Sequence, residues 1–265
     1  MSFGLGHGKT MDPGAVGLTQ QDLPPLPDDV VTNPGGARVD PRAWFDVPDR
    51  PLELEIGSGK GTFLVQQAGL QPETNFLGIE WAREFWLYAA DRVRRRVEAG
   101  DGLGNVRLLH TDATEFLRWR CPSETFGVIH LYFSDPWPKA KHHKKRVVQH
   151  RFLLEAWRTL LPGGELRVVT DHDELWAWDE AHFDLWATPG DEPRERDALA
   201  ERIPAMPSEV SEAMGDLPMP PFERLAFDRP ESAGEGELVG TNFERKFREE
   251  GRSFNAAVLR KRAGA

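Results

Sequence analysis

The sequence predicts an α/β fold, a doubly wound and mostly parallel sheet with an antiparallel strand near the C-terminus. Two observations carry this reading. From Pro51 onward, short and nearly continuous apolar runs alternate with helix-like segments, and acidic residues recur where an apolar run gives way to the next helix. Strands that read as unbroken apolar runs are covered on both faces, as in parallel sheets, whereas half-exposed antiparallel strands alternate.

The elements follow in order. "PLELEIG" reads as the first strand, Thr62 to Ala68 begins a helix, and "NFLGIE" is the second strand. "EFWLYAADRVRRRVEA" is a helix with apolar residues at Phe85, Leu87, Tyr88 and Val93, and its arginines read as a solvated face. "NVRLLHTDA" gives a third strand, "ATEFLRWR" a helical turn or two, and "FGVIHLYFSD" a fourth strand. "VVQHRFLLEAWRTL" is a helix stopped by Pro162, Gly163 and Gly164, and "ELRVVTD" is the fifth strand. "DELWAWDEAHFDLW" is helical, with Leu175, Trp178, His182 and Leu185 near one face. "FERLAF" and "SFNAAVLRK" are late strands with the helix "TNFERKFREE" between them.

Around this core, residues 1–50 form a Gly/Pro-rich extension with little periodicity, expected to be flexible or to hug the surface. Within it "GLGHGK" follows no strand and so does not read as a phosphate loop. Residues 51–265 form the main domain, with an acidic, Pro-rich insertion at about 188–220 and some helix expected around Ala198 to Ile203. A single cysteine, Cys121, excludes an internal disulfide and a multi-cysteine metal site, which suits a reducing compartment. No apolar stretch approaches the roughly 20 residues of a membrane span, and the N-terminus lacks the apolar core of a signal peptide, so a cytoplasmic protein is expected.

Charge is unevenly spread. The chain has net charge −10, yet Asp171 to Gly240 alone holds 19 acidic residues against five arginines, leaving the remainder net positive. An acidic total therefore does not exclude a polyanionic partner.

The chemistry-bearing motifs lie at the strand ends. In "LEIGSGKG", Gly57, Gly59 and Gly61 let the backbone approach a ligand at the strand-to-helix turn. The third glycine comes one position early for a dinucleotide fingerprint, and Lys60 is followed by Gly61 where a P-loop needs Ser or Thr. Glu55 repels a pyrophosphate but suits a cation, such as the amino-acid part and sulfonium of S-adenosylmethionine. Glu80 ends the second strand, where a carboxylate accepts from both ribose hydroxyls, and Asp112 follows the third, placed for an adenine amine. Either is also an ordinary cap or turn acid.

Asp135 follows the fourth strand and is expected to face the methyl donor. "DPW" is similar to the [DN]PP[YFW] loops of methyltransferases that act on planar nitrogen, and Pro136 and Pro138 stiffen the loop around Trp137. Lys139, Lys141, Lys144, Lys145 and Arg146, with His142 and His143 between them, put five cations within eight positions, a cluster whose physical use is phosphate neutralisation. The two histidines have no third ligand by spacing, so no metal is expected.

"EIGSGKG", "GIEW", "TDA", "FSDPWPKAKHHKKR", "VVTD" and "TNFERKF", in this order, resemble the tRNA (guanine-N7) methyltransferase family over roughly Leu52 to Lys261. The resemblance implies a Rossmann-like class I methyltransferase sheet and S-adenosylmethionine-dependent methylation of guanosine 46 in the tRNA variable loop, with no obligate protein partner evident. It implies cofactor roles for Glu55, the three glycines, Glu80, Asp112 and Asp135, the last also as catalytic group. Lys139, Asp171 and Thr241, Asn242, Phe243 and Glu244 would engage the substrate, and Lys141 to Arg146 the RNA. The chain departs from the family at Ser134, where proline is usual, and at Lys141 and Lys145, where arginine is common; lysine keeps the charge but not the bidentate fork. Methylation of an exocyclic amine and a non-catalytic tRNA-binding module are the alternatives.

Overall fold

The computed structural model describes residues 10–187 and 203–263. The chain divides into two compact units, one of the described residues up to Cys121 together with Arg229–Asn242, the other of Pro122–Asp228 and the residues from Phe243 onward.

In the first unit, strands β1 (Gly17–Thr19), β2 (Leu52–Ile56), β3 (Asn75–Glu80) and β4 (Val106–His110) lie in the order β1-β4-β3-β2, and all their pairings are parallel. Helices α1 (Thr62–Leu70), α2 (Arg83–Glu98) and α3 (Ala113–Trp119) connect them. Every residue of β3 before Glu80 is buried, as a parallel strand covered on both faces requires. The buried face of α2 is Trp86, Ala89, Ala90 and Val93, spaced three and four apart. Of the apolar residues noted in the sequence, Val93 is buried, whereas Phe85, Leu87 and Tyr88 are only half-buried.

Strand β1 has no counterpart in the sequence reading, which assigned no element to residues 1–50. It is short and holds one large apolar residue, too little for a periodic signal. Its register is nonetheless fixed, with Leu18 opposite Leu109 and Thr19 opposite His110. Gly17 permits the approach, since a Cβ there would lie 2.9 Å from the Trp86 ring.

In the second unit, β5 (Phe126–Tyr132) runs parallel to β6 (Leu160–Thr170), β6 antiparallel to β8 (Asn255–Lys261), and β8 antiparallel to β7 (Phe222–Leu225). Its helices are α4 (His150–Thr159), α5 (Asp173–Trp186), α6 (Ser208–Gly215) and α7 (Asn242–Glu249), whose first residue belongs to the first unit. Pro162, Gly163 and Gly164 stop α4 as expected, yet they lie inside β6. A register shift between Phe126 and Val128 absorbs them, as a bulge does. Leu175, Trp178 and Ala181 of α5 pack with Ile203, and Leu185 lies against them. The helix expected around Ala198 lies outside the described residues, as does "GLGHGK". Among the described residues no helix is long and apolar enough to cross a membrane.

Candidate active site

The first unit gathers the expected cofactor residues at the carboxyl ends of β2, β3 and β4. Gly57, Gly59 and Gly61 take φ values of 74°, 53° and 67°, a region that strains residues with a Cβ. Gly61 also caps α1, and a Cβ there would come within 3.1 Å of Ala89. At Gly57 a Cβ would point into open space, so this side of the turn is free to receive a ligand.

Two carboxylates frame the turn. Glu80 Oε2 accepts from the Gly59 N–H at 2.8 Å and Oε1 from the Ala82 N–H at 2.8 Å, so this residue braces the glycine loop as well as ending β3. Glu55 is 5% exposed and its Oε2 has no hydrogen-bond partner among the described residues. Burial, and then the neighbouring Glu80 charge, push its pKa well above the usual carboxylate range. A buried, unpartnered carboxylate beside an open glycine turn fits a ligand that brings positive charge and hydrogen-bond donors. Asp112 caps α3, its Oδ1 accepting from the Thr114 N–H at 2.8 Å and the Thr114 hydroxyl at 2.6 Å.

The residues expected at the substrate fall into both units. Thr241 and Asn242 belong to the first, where Asn242 donates to the Thr62 hydroxyl at 2.9 Å and Gln66 donates to the Gly240 carbonyl at 2.7 Å. They are thereby tied to α1 behind the glycine turn.

In the second unit, β5 delivers its C-terminal end to Phe133, whose φ is 54° and whose N–H bonds to the Val169 carbonyl at 2.8 Å. The Phe133 ring is anchored against Phe254 at 5.7 Å and Phe247 at 6.0 Å. Asp135 stands exposed two residues later. Beyond it Trp137, with φ 43°, carries Lys145 over its face at 4.6 Å and His142 against its edge at 5.7 Å. Lys139, just before the following 3-10 turn Ala140–Lys145, and Lys141, Lys144 and Lys145 within it are all exposed.

Arg146 departs from the expected RNA-facing set. It is 2% exposed, donates to the Pro136 carbonyl at 2.9 Å and to Glu174 Oε1 at 2.8 Å, and lies 5.1 Å over the Trp178 ring. Its guanidinium therefore rivets the loop to α5 and is not presented to solvent. His143 is drawn the same way, 3.2 Å from Glu174. The hydrogen bond from Arg146 holds the Glu174 pKa below its ordinary value.

Two expected substrate carboxylates already have arginine partners. Asp171, at the end of β6, meets Arg252 at 2.5 Å, and the fully buried Glu244 meets Arg248 at 2.6 Å. Phe243 is half-exposed and stacks on Phe247 at 6.0 Å. Sequence reasoning missed Arg248, Arg252 and Glu174, and placed Trp178 only on a helix face without its contact to Arg146. Only Arg248 left a signal, four residues from Glu244 on one helix face.

A family model described as "Putative methyltransferase" matches residues 49–203. The tRNA (guanine-N(7)-)-methyltransferase of Nitrobacter hamburgensis is 38% identical over 182 residues, 68% of this chain and 68% of that protein. That of Corynebacterium diphtheriae is 36% identical over 148 residues, so the match spans about half of each, 56% of this chain and 55% of the relative. Among solved structures, an antibiotic-related methyltransferase aligns over 96% of this chain and 100% of its own with a TM-score of 0.50 at 14% identity, a likeness of fold alone.

Proposed function

We propose that this chain, which belongs to the tRNA (guanine-N(7)-)-methyltransferase family, transfers a methyl group from S-adenosylmethionine to N7 of guanosine 46 in the tRNA variable loop. The relatives' names support N7 of guanine in tRNA as the acceptor. The feature of this chain that carries the reading is the buried Glu55 carboxylate, one oxygen unpartnered, beside the open glycine turn. The same reading makes it a cytoplasmic enzyme.

When bound, S-adenosylmethionine supplies an electrophilic methyl carbon on a cationic sulfur. Glu55 answers that ligand's positive charge, Gly57 leaves room for it, Glu80 accepts from its ribose and Asp112 from its adenine amine. Guanine N7 already has an in-plane lone pair, so no side chain has to remove a proton before attack. The protein's part is alignment and electrostatics. Asp135, on a loop stiffened by two prolines, accepts hydrogen bonds from guanine N1–H and the exocyclic amine, donors that adenine lacks in this arrangement. Asp171 shares its oxygens between Arg252 and the base, while the buried Glu244 holds Arg248 in place. Lys139, Lys141, Lys144 and Lys145, with His142, meet backbone phosphates, and Arg146 positions their loop.

The test is methyl transfer from labelled S-adenosylmethionine to two unmodified tRNA transcripts, one with guanosine and one with adenosine at position 46. Label in the first alone, released by borohydride and aniline cleavage, is the expected result. Label resistant to that cleavage would mean an exocyclic amine, and equal labelling of both transcripts another acceptor. Asp135→Asn is expected to lower kcat by about a hundredfold or more, with a smaller effect on the KM for tRNA; an unchanged kcat would remove Asp135 from the reaction.

A further inference from the structure

We infer that the segment before the methyltransferase core, Thr19 to Leu26, is a wall of the pocket that takes the purine of the methyl donor, so that cofactor affinity depends on residues outside the family-matched region. The inference rests on the proposed function. The observation behind it is a cavity of about 200 Å³ in the first unit, lined by Trp81, Asp112 and Trp119 together with Gln20, Leu23 and Leu26. Ligand pockets commonly enclose about 300–1,000 Å³, so this one suits a single planar ring system rather than a whole cofactor.

The chemistry of the lining suits a purine. The flat apolar face is that of Trp81, which is 71% exposed, a large ring left without cover, while Trp119 already carries the Arg118 guanidinium over its ring at 4.0 Å and donates its indole N–H to Glu115 at 2.8 Å. Asp112 supplies the acceptor. All the hydrogen bonds that cap α3 fall on its Oδ1, and its Oδ2 has none among the described residues, which leaves that oxygen for an exocyclic amine. Trp81 directly follows Glu80, so the pocket adjoins the residue proposed to hold the ribose.

The N-terminal part of the lining is held in place by its own contacts. Pairing of β1 with β4 sets Thr19 opposite His110, two residues before Asp112. A capping box then turns the chain, with Asp22 Oδ2 accepting from the Thr19 N–H at 2.7 Å and its hydroxyl at 2.8 Å. Arg120, just beyond α3, donates to the Pro24 carbonyl and so ties the segment to the helix that carries Trp119. Leu23 is buried by this arrangement while Leu26 stays partly exposed at the pocket rim. The matched family region begins at residue 49, so none of this wall belongs to it.

The test is calorimetric titration of the full chain with S-adenosylhomocysteine, and with adenosine as competitor. Leu26→Asp, which replaces apolar cover by a charge, and Gln20→Trp, which fills the cavity, change exposed positions and should fold normally, to be checked by thermal unfolding. Each is expected to weaken both ligands by the same factor, about tenfold, since both carry the purine. In methyl transfer the KM for the cofactor should rise by that factor while kcat and the KM for tRNA stay constant, and Val31→Ala, exposed and off the cavity, should match the wild type. Wild-type affinity in both pocket variants, with Glu55→Gln still weakened, would overturn the inference and leave the methyltransferase reading intact. Loss of tRNA affinity with unchanged nucleoside binding would overturn it in favour of an RNA base in the cavity. A wild-type chain that binds no S-adenosylhomocysteine would sink the proposed function and this inference together.

Discussion

At the scale of single residues, Glu55 shows why a site can cost the fold something. Its carboxylate is buried with an oxygen unpartnered, and burial raises its pKa above the ordinary 4.5. A folded-state pKa raised above the unfolded value means that the native chain holds the proton more tightly. Stability is then whole below pH 4.5 and is lost as pH rises through the shifted value. Glu55→Gln removes the ionisation, so it is expected to stabilise the ligand-free protein at pH 7.5, a gain that fades towards pH 4.5. The same change is expected to weaken S-adenosylhomocysteine binding. Urea unfolding at the two pH values, paired with calorimetry, checks both; a destabilised variant at pH 7.5 would mean that the carboxylate has a partner when folded.

At the scale of elements, α5 both receives the loop rivet Arg146 and carries an unusual histidine. His182 is buried, its Nδ1 2.9 Å from the Trp178 carbonyl, with His150 of α4 at 4.8 Å and the Trp178 ring at 5.0 Å. Burial, reinforced by His150, lowers its pKa from 6.5 to about 4. A depressed histidine pKa works in the opposite sense to Glu55: the unfolded chain takes up the proton first, so stability is lost as pH falls from 6.5 to about 4. The loss amounts to roughly 3 kcal/mol over that window. His182→Phe is expected to flatten this part of the stability curve, as followed by urea unfolding between pH 7.5 and 5; an unchanged curve would assign the acid sensitivity elsewhere. The existence and order of such elements were largely legible, because long apolar runs and stop signals are local. The face of α2 was not, since Phe85, Leu87 and Tyr88 look as apolar in the sequence as the buried Trp86. Nor was β1, whose three residues gain their shape from β4 rather than from their own pattern.

At the scale of the whole chain, the acids at successive strand ends were legible because a parallel sheet returns each strand end to one edge, whereas pairings across 28 residues, Arg146 with Glu174, or 81, Asp171 with Arg252, leave no local trace. That difference decides how the basic loop should behave. The net charge of −10 hides a segregated distribution, with Asp171 to Gly240 strongly acidic and the rest net positive. Affinity for tRNA should therefore follow the local cations and not the total. Each phosphate contact adds about 0.7 to 0.9 to the slope of log affinity against log salt. Replacing the exposed Lys139, Lys141, Lys144 and Lys145 with glutamine is expected to weaken binding at low salt and reduce the slope by about three. Arg146→Gln, by contrast, removes a buried donor rather than a phosphate contact. It is expected to leave that slope unchanged and to lower stability by about 1.5–3 kcal/mol, the range for hydrogen bonds to charged groups. Filter binding of one tRNA over a salt series, with denaturant unfolding of each variant, separates the two roles. A quadruple lysine variant with the wild-type slope would remove the loop from the RNA interface, and an Arg146 variant whose slope falls by about one with stability intact would return that residue to it.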